Sequence, residues 1–378
     1  MRERKGDILK RTKYLEDGRT LYEHICDREN ILGAIQDASK DHHRDLQVQM
    51  MKENPEEYAD AIEGILKTKS FHYSKFRTCD IVERGKKRHL CFTITFPDRV
   101  VQHAVMRIVA PILLGSCVKF TYAAQKGRGT HACSMEVRRF IRDDPEGTRF
   151  YLKMDVRHYF QNVSRDILWV QVKKKIKCPD TLELMHRLIY EVPGRKGLAI
   201  GLYISQILSS FFLSPLDHWI VEVKRMKMLR YMDDIIVFSD SKIKLHRLRK
   251  QIQYKLKTEF DLKLKDNYRV APISTGLDFV GFVHYPDYTR LRKSVKISYK
   301  RVANCIIKRL KKRIPIDKHI MGALNSYAGM AGWCDSKNLY KNTYDRVMRA
   351  VEFGIEALRW SHQAKIFELR TCSTDDCI

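Results

Sequence analysis

Apolar positions recur at helical spacing in LYEHICDRENILGAIQDA and again in YADAIEGILKTK, which predicts helices through residues 21–68. The pattern then shifts to a short run rich in aromatic and β-branched residues, HLCFTITF, closed off by Pro97 and Asp98. From Arg99 to Leu114 helical spacing returns, with Asp98 as the expected N-cap. A glycine-punctuated loop, KGRGT, leads into a helix ending near Asp143. Next, TRFYLKMDV reads as a strand that delivers Asp155 at its end, and a helix follows it. MLRYMDDIIVFS is apolar on both sides of two adjacent acids, the pattern of a hairpin with buried flanks and its turn at Met232, Asp233 and Asp234. In the last third, SYKRVANCIIKRLKKR places Val302, Ile306 and Leu310 on one helical face. Lys300, Arg301, Lys308, Lys311 and Lys312 remain for the other, which is either an ordinary solvated face or a contact for phosphate.

Composition adds a partner class. Seventy-one Lys and Arg against 45 Asp and Glu leave a formal charge of +26 over 378 residues. Such a field attracts polyanions, and because the excess runs along most of the chain, nucleic acid is the leading partner over a merely solvated basic surface. No lipid-anchored basic amphipathic stripe and no apolar run of about 18 residues is present, so no membrane partner is expected. The start, MRERKGDILKR, lacks the apolar core of a signal peptide, and a cytoplasmic location is expected. The 44% hydrophobic fraction, 18 Gly and 10 Pro fit a folded protein, with lobes that are interleaved or tightly joined, since neither repeats nor flexible linkers occur. Ten scattered cysteines read as reduced thiols, and Cys372 with Cys377 is not read as a metal pair.

The adjacent acids carry the chemistry. Two carboxylates in an apolar strand pair repel one another and lose solvation unless cations neutralise them, although a solvated acidic turn is the plainer alternative. A separate strand ending in Asp155 supplies a further carboxylate. Nucleotidyl transfer with two divalent ions about 4 Å apart needs carboxylates from at least two elements, and Mg²⁺, with Mn²⁺ as a substitute, suits such oxygen ligands.

RYMDDIIVFS resembles the catalytic YxDD hairpin of reverse transcriptases, and FYLKMDVRHYF resembles the preceding strand with the first metal-binding Asp. With GLAIGLYISQILSSFFLSPLDHW between them, the resemblance spans roughly residues 20–345. It implies an α+β right-handed polymerase fold with an antiparallel palm sheet and a helical thumb. Fingers would take residues 1–93 and 118–146, palm 94–117 and 147–284, and thumb with tail 285–378. The metal site would comprise Asp155, Val156, Asp233 and Asp234, with Tyr231 and Met232 shaping the hairpin. The nucleotide would meet Lys87 and Arg88 of GKKRHLCF, Phe160 as steric gate against ribose, and Ile200, Gly201, Ser205 and Gln206. Arg suits the triphosphate because its planar fork binds two oxygens at once. Phe160 reads equally as a core aromatic. Gly281 and Phe282, in LDFVGFVHY, would hold the primer terminus, or Gly281 is a structural hairpin glycine. For the proton-donating lysine, Lys263 and Lys265 both remain open.

Most retroviral and intron-type reverse transcriptases carry QGxxxSP where this chain has Ile200-Gly201-Leu202-Tyr203-Ile204-Ser205-Gln206. That IGxxxSQ pattern resembles the enzymes of diversity-generating retroelements, as do PDRVVQHAVMRIVAPIL, YAAQKGRGTHAC and SYAGMAGWCDSKNLYK. The resemblance implies a bacterial or phage-encoded enzyme that copies a template-repeat RNA into cDNA with errors opposite adenine. Its partners would be template RNA and the RNA/DNA hybrid, deoxynucleoside triphosphates, and a basic, helical, oligomeric accessory protein. Apolar Ile200 cannot make a glutamine's hydrogen bonds, which loosens selectivity. Too few residues follow position 345 for an RNase H, integrase or endonuclease. The alternatives are a defence, retron or intron reverse transcriptase, and an inactive RNA-binding protein with a polymerase fold.

Overall fold

The computed structural model describes residues 13–40, 45–83, 86–93 and 95–353, and, within its strands, leaves out the side chains of 83, 86 and 87. The fold is α+β. Two compact units interleave along the chain, one from residues 1–129 and 146–271, the other from 130–145 and 272–378. The expected thumb boundary at residue 285 thus falls inside the second unit, which also takes a stretch expected in the fingers.

The helical reading of residues 21–68 resolves into α1 (Leu21–Cys26), α2 (Arg28–Ala38), α3 (Leu46–Glu53) and α4 (Pro55–Lys67). Capping side chains set the breaks. Thr20 and Glu23 form a reciprocal capping box on α1, and Asp27 and Asp45 accept from the first-turn amides of α2 and α3. A hairpin follows, β1 (Phe76–Glu83) against β2 (Lys86–Thr93). The expected strand patch therefore starts earlier and stops sooner. Phe96 already opens α5 (Phe96–Gly115), whose N-cap is Thr95 rather than Asp98. Pro97 fits the first turn, where no amide is needed. Asp98 instead lies buried and accepts hydrogen bonds from the amide, at 3.1 Å, and the hydroxyl of Ser74.

The central sheet has the order β3 (Thr121–Tyr122), β5 (Met228–Tyr231), β6 (Asp234–Ser239), β4 (Phe150–Asp155), β7 (Arg269–Pro272). Its middle pairs, β5–β6 and β6–β4, are antiparallel as expected, while the short β3 runs parallel to β5. Register assigns the faces. Leu152, Met154, Ile235, Val237 and Met228 point to one side, into a core shared with α10 (Tyr203–Phe212), α11 (Ser214–His218) and α12 (Lys242–Glu259). Asp155, Lys153, Asp234 and Ile236 belong to the other. Between the strands run α7 (Tyr159–Asn162), α8 (Arg165–Lys175) and α9 (Pro179–Tyr190).

In the second unit, α6 (Thr130–Asp143) joins β8 (Leu277–Phe279), β9 (Phe282–His284), β10 (Thr289–Leu291), α13 (Lys293–Lys311), α14 (Lys318–Gly332) and α15 (Lys337–Tyr340). The buried stripe of α13 is Val295, Tyr299, Ala303 and Ile306. Val302 and Leu310, expected at its centre, are half-buried on its flank, because a strict four-residue step drifts around a 3.6-residue helix. The cysteines of the described residues are free thiols, and Cys372 and Cys377 lie outside those residues. No described helix is long and apolar enough to cross a membrane.

Candidate active site

Asp155 ends β4, and the register sets it directly opposite Asp234, the first residue of β6. Across the hairpin Asp234 pairs with Tyr231, leaving Met232 and Asp233 as a two-residue turn. Met232 adopts φ +56°, the left-handed backbone that tight hairpin turns require and that a side chain resists. Buried Arg230 holds it there. Its guanidinium donates to the Met232 carbonyl at 2.8 Å, to the Ser210 carbonyl at 2.7 Å, and to both carboxylate oxygens of Asp217 at 2.6–2.9 Å. Neither ion of this pair is exposed, and Thr121 donates to Asp217 at 3.0 Å. Burial works against the Arg230 charge, but Asp217 outweighs it and raises the pKa.

On the other side of β4, Val156 bridges Leu264 antiparallel, the Arg157 amide donates to Lys263 O at 2.8 Å, and the Lys265 amide to Asp155 O at 2.9 Å. This clamp separates the two candidate lysines. Lys265 Nζ reaches Asp155 Oδ2 at 2.5 Å, whereas Lys263 contributes its carbonyl. The other oxygen, Asp155 Oδ1, is buried without a hydrogen-bond partner. Burial first, then the Asp155 charge, push Asp233 up to about 7; Asp234 adds to this, and its own amide and Lys265 oppose it. Three acids thus crowd one hairpin end with less positive charge than they call for.

The nucleotide-motif residues are held by main chain. His158, at φ +47°, turns the chain into α7, where Phe160 is half-buried. The Leu198 amide donates to Phe160 O at 2.7 Å, and Gly197 packs so closely that a Cβ would lie 2.9 Å from that oxygen and 2.7 Å from Gln161 O. Arg165, buried, suspends the loop: it donates to Gly197 O and Val192 O at 2.9 Å, Pro193 O at 3.1 Å and Tyr190 O at 3.4 Å. Ile200 O then accepts from the Cys91 amide of β2 at 2.8 Å. Gly201, at φ +121°, brings its backbone so near Cys91 that a Cβ would meet Cys91 O at 2.8 Å. Ser205 is buried in α10 and Gln206 is exposed. Beside Gly201 lies a cavity of about 480 Å³, lined in part by Arg77, Phe92, Arg99, Gln102 and Tyr203, a size that suits a nucleotide.

Arg88 lies exposed on β2, three residues before Cys91, and the side chain of Lys87 is outside the described residues. Gly281 and Phe282 belong to the second unit. Val280 and Gly281, at φ +43° and +92°, form the β8–β9 turn, and a Cβ on Gly281 would meet Met330 at 2.9 Å. Phe282 is wholly buried in that unit's core, so its side chain offers no surface. Sequence reasoning did not single out Arg230, Asp217 or Arg165. The available signal was a lone charge inside each of two apolar runs, MLRYM and FFLSPLDHW.

A family profile described as reverse transcriptase (RNA-dependent DNA polymerase) matches residues 75–282, more than half of the chain and all of the hairpin and strand just described. The chain belongs to the reverse transcriptase family. Among curated proteins none matches it. Of the solved structures, apo telomerase from Candida tropicalis is similar with a TM-score of 0.51 at 11% identity, over 77% of this chain and 59% of that one. Telomerase from the same organism in complex with the TWJ fragment of telomeric RNA gives 0.48 at 10% identity over 78% and 55%. The corresponding complex from Candida albicans gives 0.45 at 13% over 69% and 55%. The first likeness is one of fold, and this reverse transcriptase spans 59% of the length of that telomerase chain.

Whether a divalent ion fits is a question of donors. Among the described residues no three His, Cys, Asp or Glu side chains close into a metal cage. The orphaned Oδ1 of Asp155, the opposed Asp234 and the half-buried Asp233 in the adjoining turn nevertheless form an oxygen-only donor set. That suits Mg²⁺, which takes few protein carboxylates and keeps waters and phosphates in its shell.

Proposed function

We propose that this reverse transcriptase is an RNA-directed DNA polymerase that extends a DNA primer along an RNA template using deoxynucleoside triphosphates. The carrying observation is the cross-strand pairing of Asp155 with Asp234, with Asp233 in the adjoining turn and Lys265 on Asp155. Asp155, Asp233 and Asp234, with the Val156 carbonyl beside them, would hold Mg²⁺ or Mn²⁺. Bound there, such ions supply Lewis-acid activation of the primer hydroxyl and neutralise charge at the leaving pyrophosphate.

The chain's own residues do the rest. Arg230 keeps the turn rigid so that the carboxylates need no rearrangement as charge develops. Lys265, already at the reaction face, is the proton donor for the leaving group in this reading. Phe160 and the Ile200-Gly201 backbone shape the sugar and base pocket, with Ser205 and Gln206 on the helix behind. Arg88, on the hairpin strand joined to Ile200, meets the triphosphate. Incubation with an RNA template, DNA primer, Mg²⁺ and deoxynucleotides yields cDNA, and Asp233→Ala with Asp234→Ala abolishes it. A protein that makes none even on its native RNA refutes the reading.

The finer proposal is the diversity-generating retroelement type, copying a template-repeat RNA with adenine errors beside a basic accessory oligomer. Its support is the IGLYISQ segment, in which Ile200 replaces a hydrogen-bonding amide. Sequencing cDNA from an Ile200→Gln variant tests the link; an unchanged error rate opposite adenine counts against it.

A further inference from the structure

Helix α12 buries Leu245, Leu248, Ile252 and Leu256 and turns its other side outward. There Ile243, Arg247, Lys250, Tyr254 and Lys257 follow at steps of four, three, four and three residues, a single line along the helix. The line is about 21 Å long at about 1.5 Å per residue. Ile243 is 64% and Tyr254 70% exposed. Among the described residues Arg247, Lys250 and Lys257 have no acidic partner, whereas the neighbouring Lys244 and Lys255 pair with Asp240 and Glu259. A solvated helix face is usually laced with such pairs and does not set a large aromatic among unneutralised cations. Cations spaced along a groove or ridge with an aromatic between them fit an unpaired nucleic-acid strand, phosphates on the charges and a base stacked on the ring.

The position of this line separates it from the reaction. Asp155 and Asp234 share one face of the sheet; Leu152, Met154, Ile235 and Val237, on the opposite face, join the core that α12 seals. Phe212 of α10 packs on Phe260 just past the end of α12, and Lys242 reaches Phe150 of that same opposite face. The stripe is therefore a sheet and a helix away from the carboxylates.

We propose that Ile243, Arg247, Lys250, Tyr254 and Lys257 form a second RNA-binding surface for a single-stranded segment that is not being copied. The proposal rests on the polymerase reading only in naming the carboxylate face as the copying face. Its occupant is an unpaired RNA strand, chosen over an acidic protein surface because Tyr254 would be superfluous for charge docking alone.

The test uses the full chain with its front saturated by an RNA/DNA hybrid ended in a dideoxynucleotide, and a fluorescent 20-nucleotide oligouridylate as probe. Replacing Arg247, Lys250 and Lys257 by Glu lowers probe affinity at least thirty-fold and makes the plot of log affinity against log salt shallower by about two, from about 0.7 per phosphate contact. Tyr254→Ala lowers affinity about ten-fold, the loss expected for one stacked base. Extension of a preannealed hybrid stays at the unmodified rate in both variants. Unchanged affinity and salt slope overturn the proposal, and so does a loss that appears only together with loss of hybrid extension. Competition by polyglutamate as strong as by RNA at equal charge also overturns it, in favour of an acidic protein partner. If the unmodified protein extends no hybrid, the polymerase reading fails, while the probe comparison still decides the stripe.

Discussion

Arg230 and Asp217 form an ion pair in which neither side chain is exposed, with contacts of 2.6–2.9 Å, one layer beneath the turn that carries Asp233. The pair is a mechanical support as much as an electrostatic one, because the same guanidinium grips the Met232 carbonyl.

Removing one partner leaves the other buried and uncompensated. Asp217→Ala is expected to destabilise the protein by about 3–5 kcal/mol, measured by chemical denaturation, and to lower primer extension further than stability alone explains. The double change Arg230→Met with Asp217→Leu recovers much of the stability while polymerisation stays low, since nothing then holds the Met232 carbonyl. Full recovery of activity in the double variant would refute the support role.

Gly201 carries a narrower expectation. Alanine there meets both an unfavourable φ and the Cys91 carbonyl. Strain of about 1–3 kcal/mol should appear chiefly as a raised KM for the incoming deoxynucleotide in steady-state extension, with thermal stability falling modestly. An unaltered KM would show that the Ile200-Gly201 backbone lies outside the nucleotide pocket.

Lys265 competes with any cation for Asp155 Oδ2. Lys265→Met is therefore expected to slow extension at saturating nucleotide by about ten- to a hundred-fold, within the range of a lost general acid, and at the same time to strengthen divalent-ion binding, read as a larger Mg²⁺-induced rise in melting temperature. Weaker ion binding in the variant would contradict this arrangement.

Two buried imidazoles set an acid limit on stability. Burial first, then Arg138, lower His284 to about 3; burial first, then Arg99, lower His103 to about 4, where its ring stacks on Tyr203 at 3.9 Å. The Nε2 atoms of both are buried without a partner. Their folded pKa values lie below the unfolded value of 6.5, so between pH 6.5 and about 4 the unfolded chain binds more protons and stability falls as pH falls. Each contributes at most about 1.4 kcal/mol per pH unit. Denaturation midpoints between pH 7 and 5 should flatten in His284→Leu, and an unaltered slope would exclude His284 as a cause.

How much of this was legible beforehand depended on the range of the interaction. Sequence pattern located the strand ending in Asp155 and the hairpin at Asp233, because strands buried on both faces read as short continuous apolar runs. It missed β1, whose FRTCDIVE mixes charges with apolar residues, and whose Ile81 and Val82 are exposed rather than facing a core. It put the α5 cap at Asp98 because proline reads as a stop, when the first turn tolerates it. Lys265 meets Asp155 across 110 positions and Arg165 reaches Gly197 across 32, contacts that leave no short-range signature. The candidate-site aspartates were readable for the opposite reason: two acids surrounded by Tyr231, Ile235 and Ile236 are locally improbable.

The bond between the Cys91 amide and the Ile200 carbonyl is made by main chain alone. Substitution at position 200 changes a side chain without unfastening the main-chain bond that ties this loop to β2. Under the proposed nucleotide role of this loop, one side chain can be exchanged while the frame that carries it keeps its place.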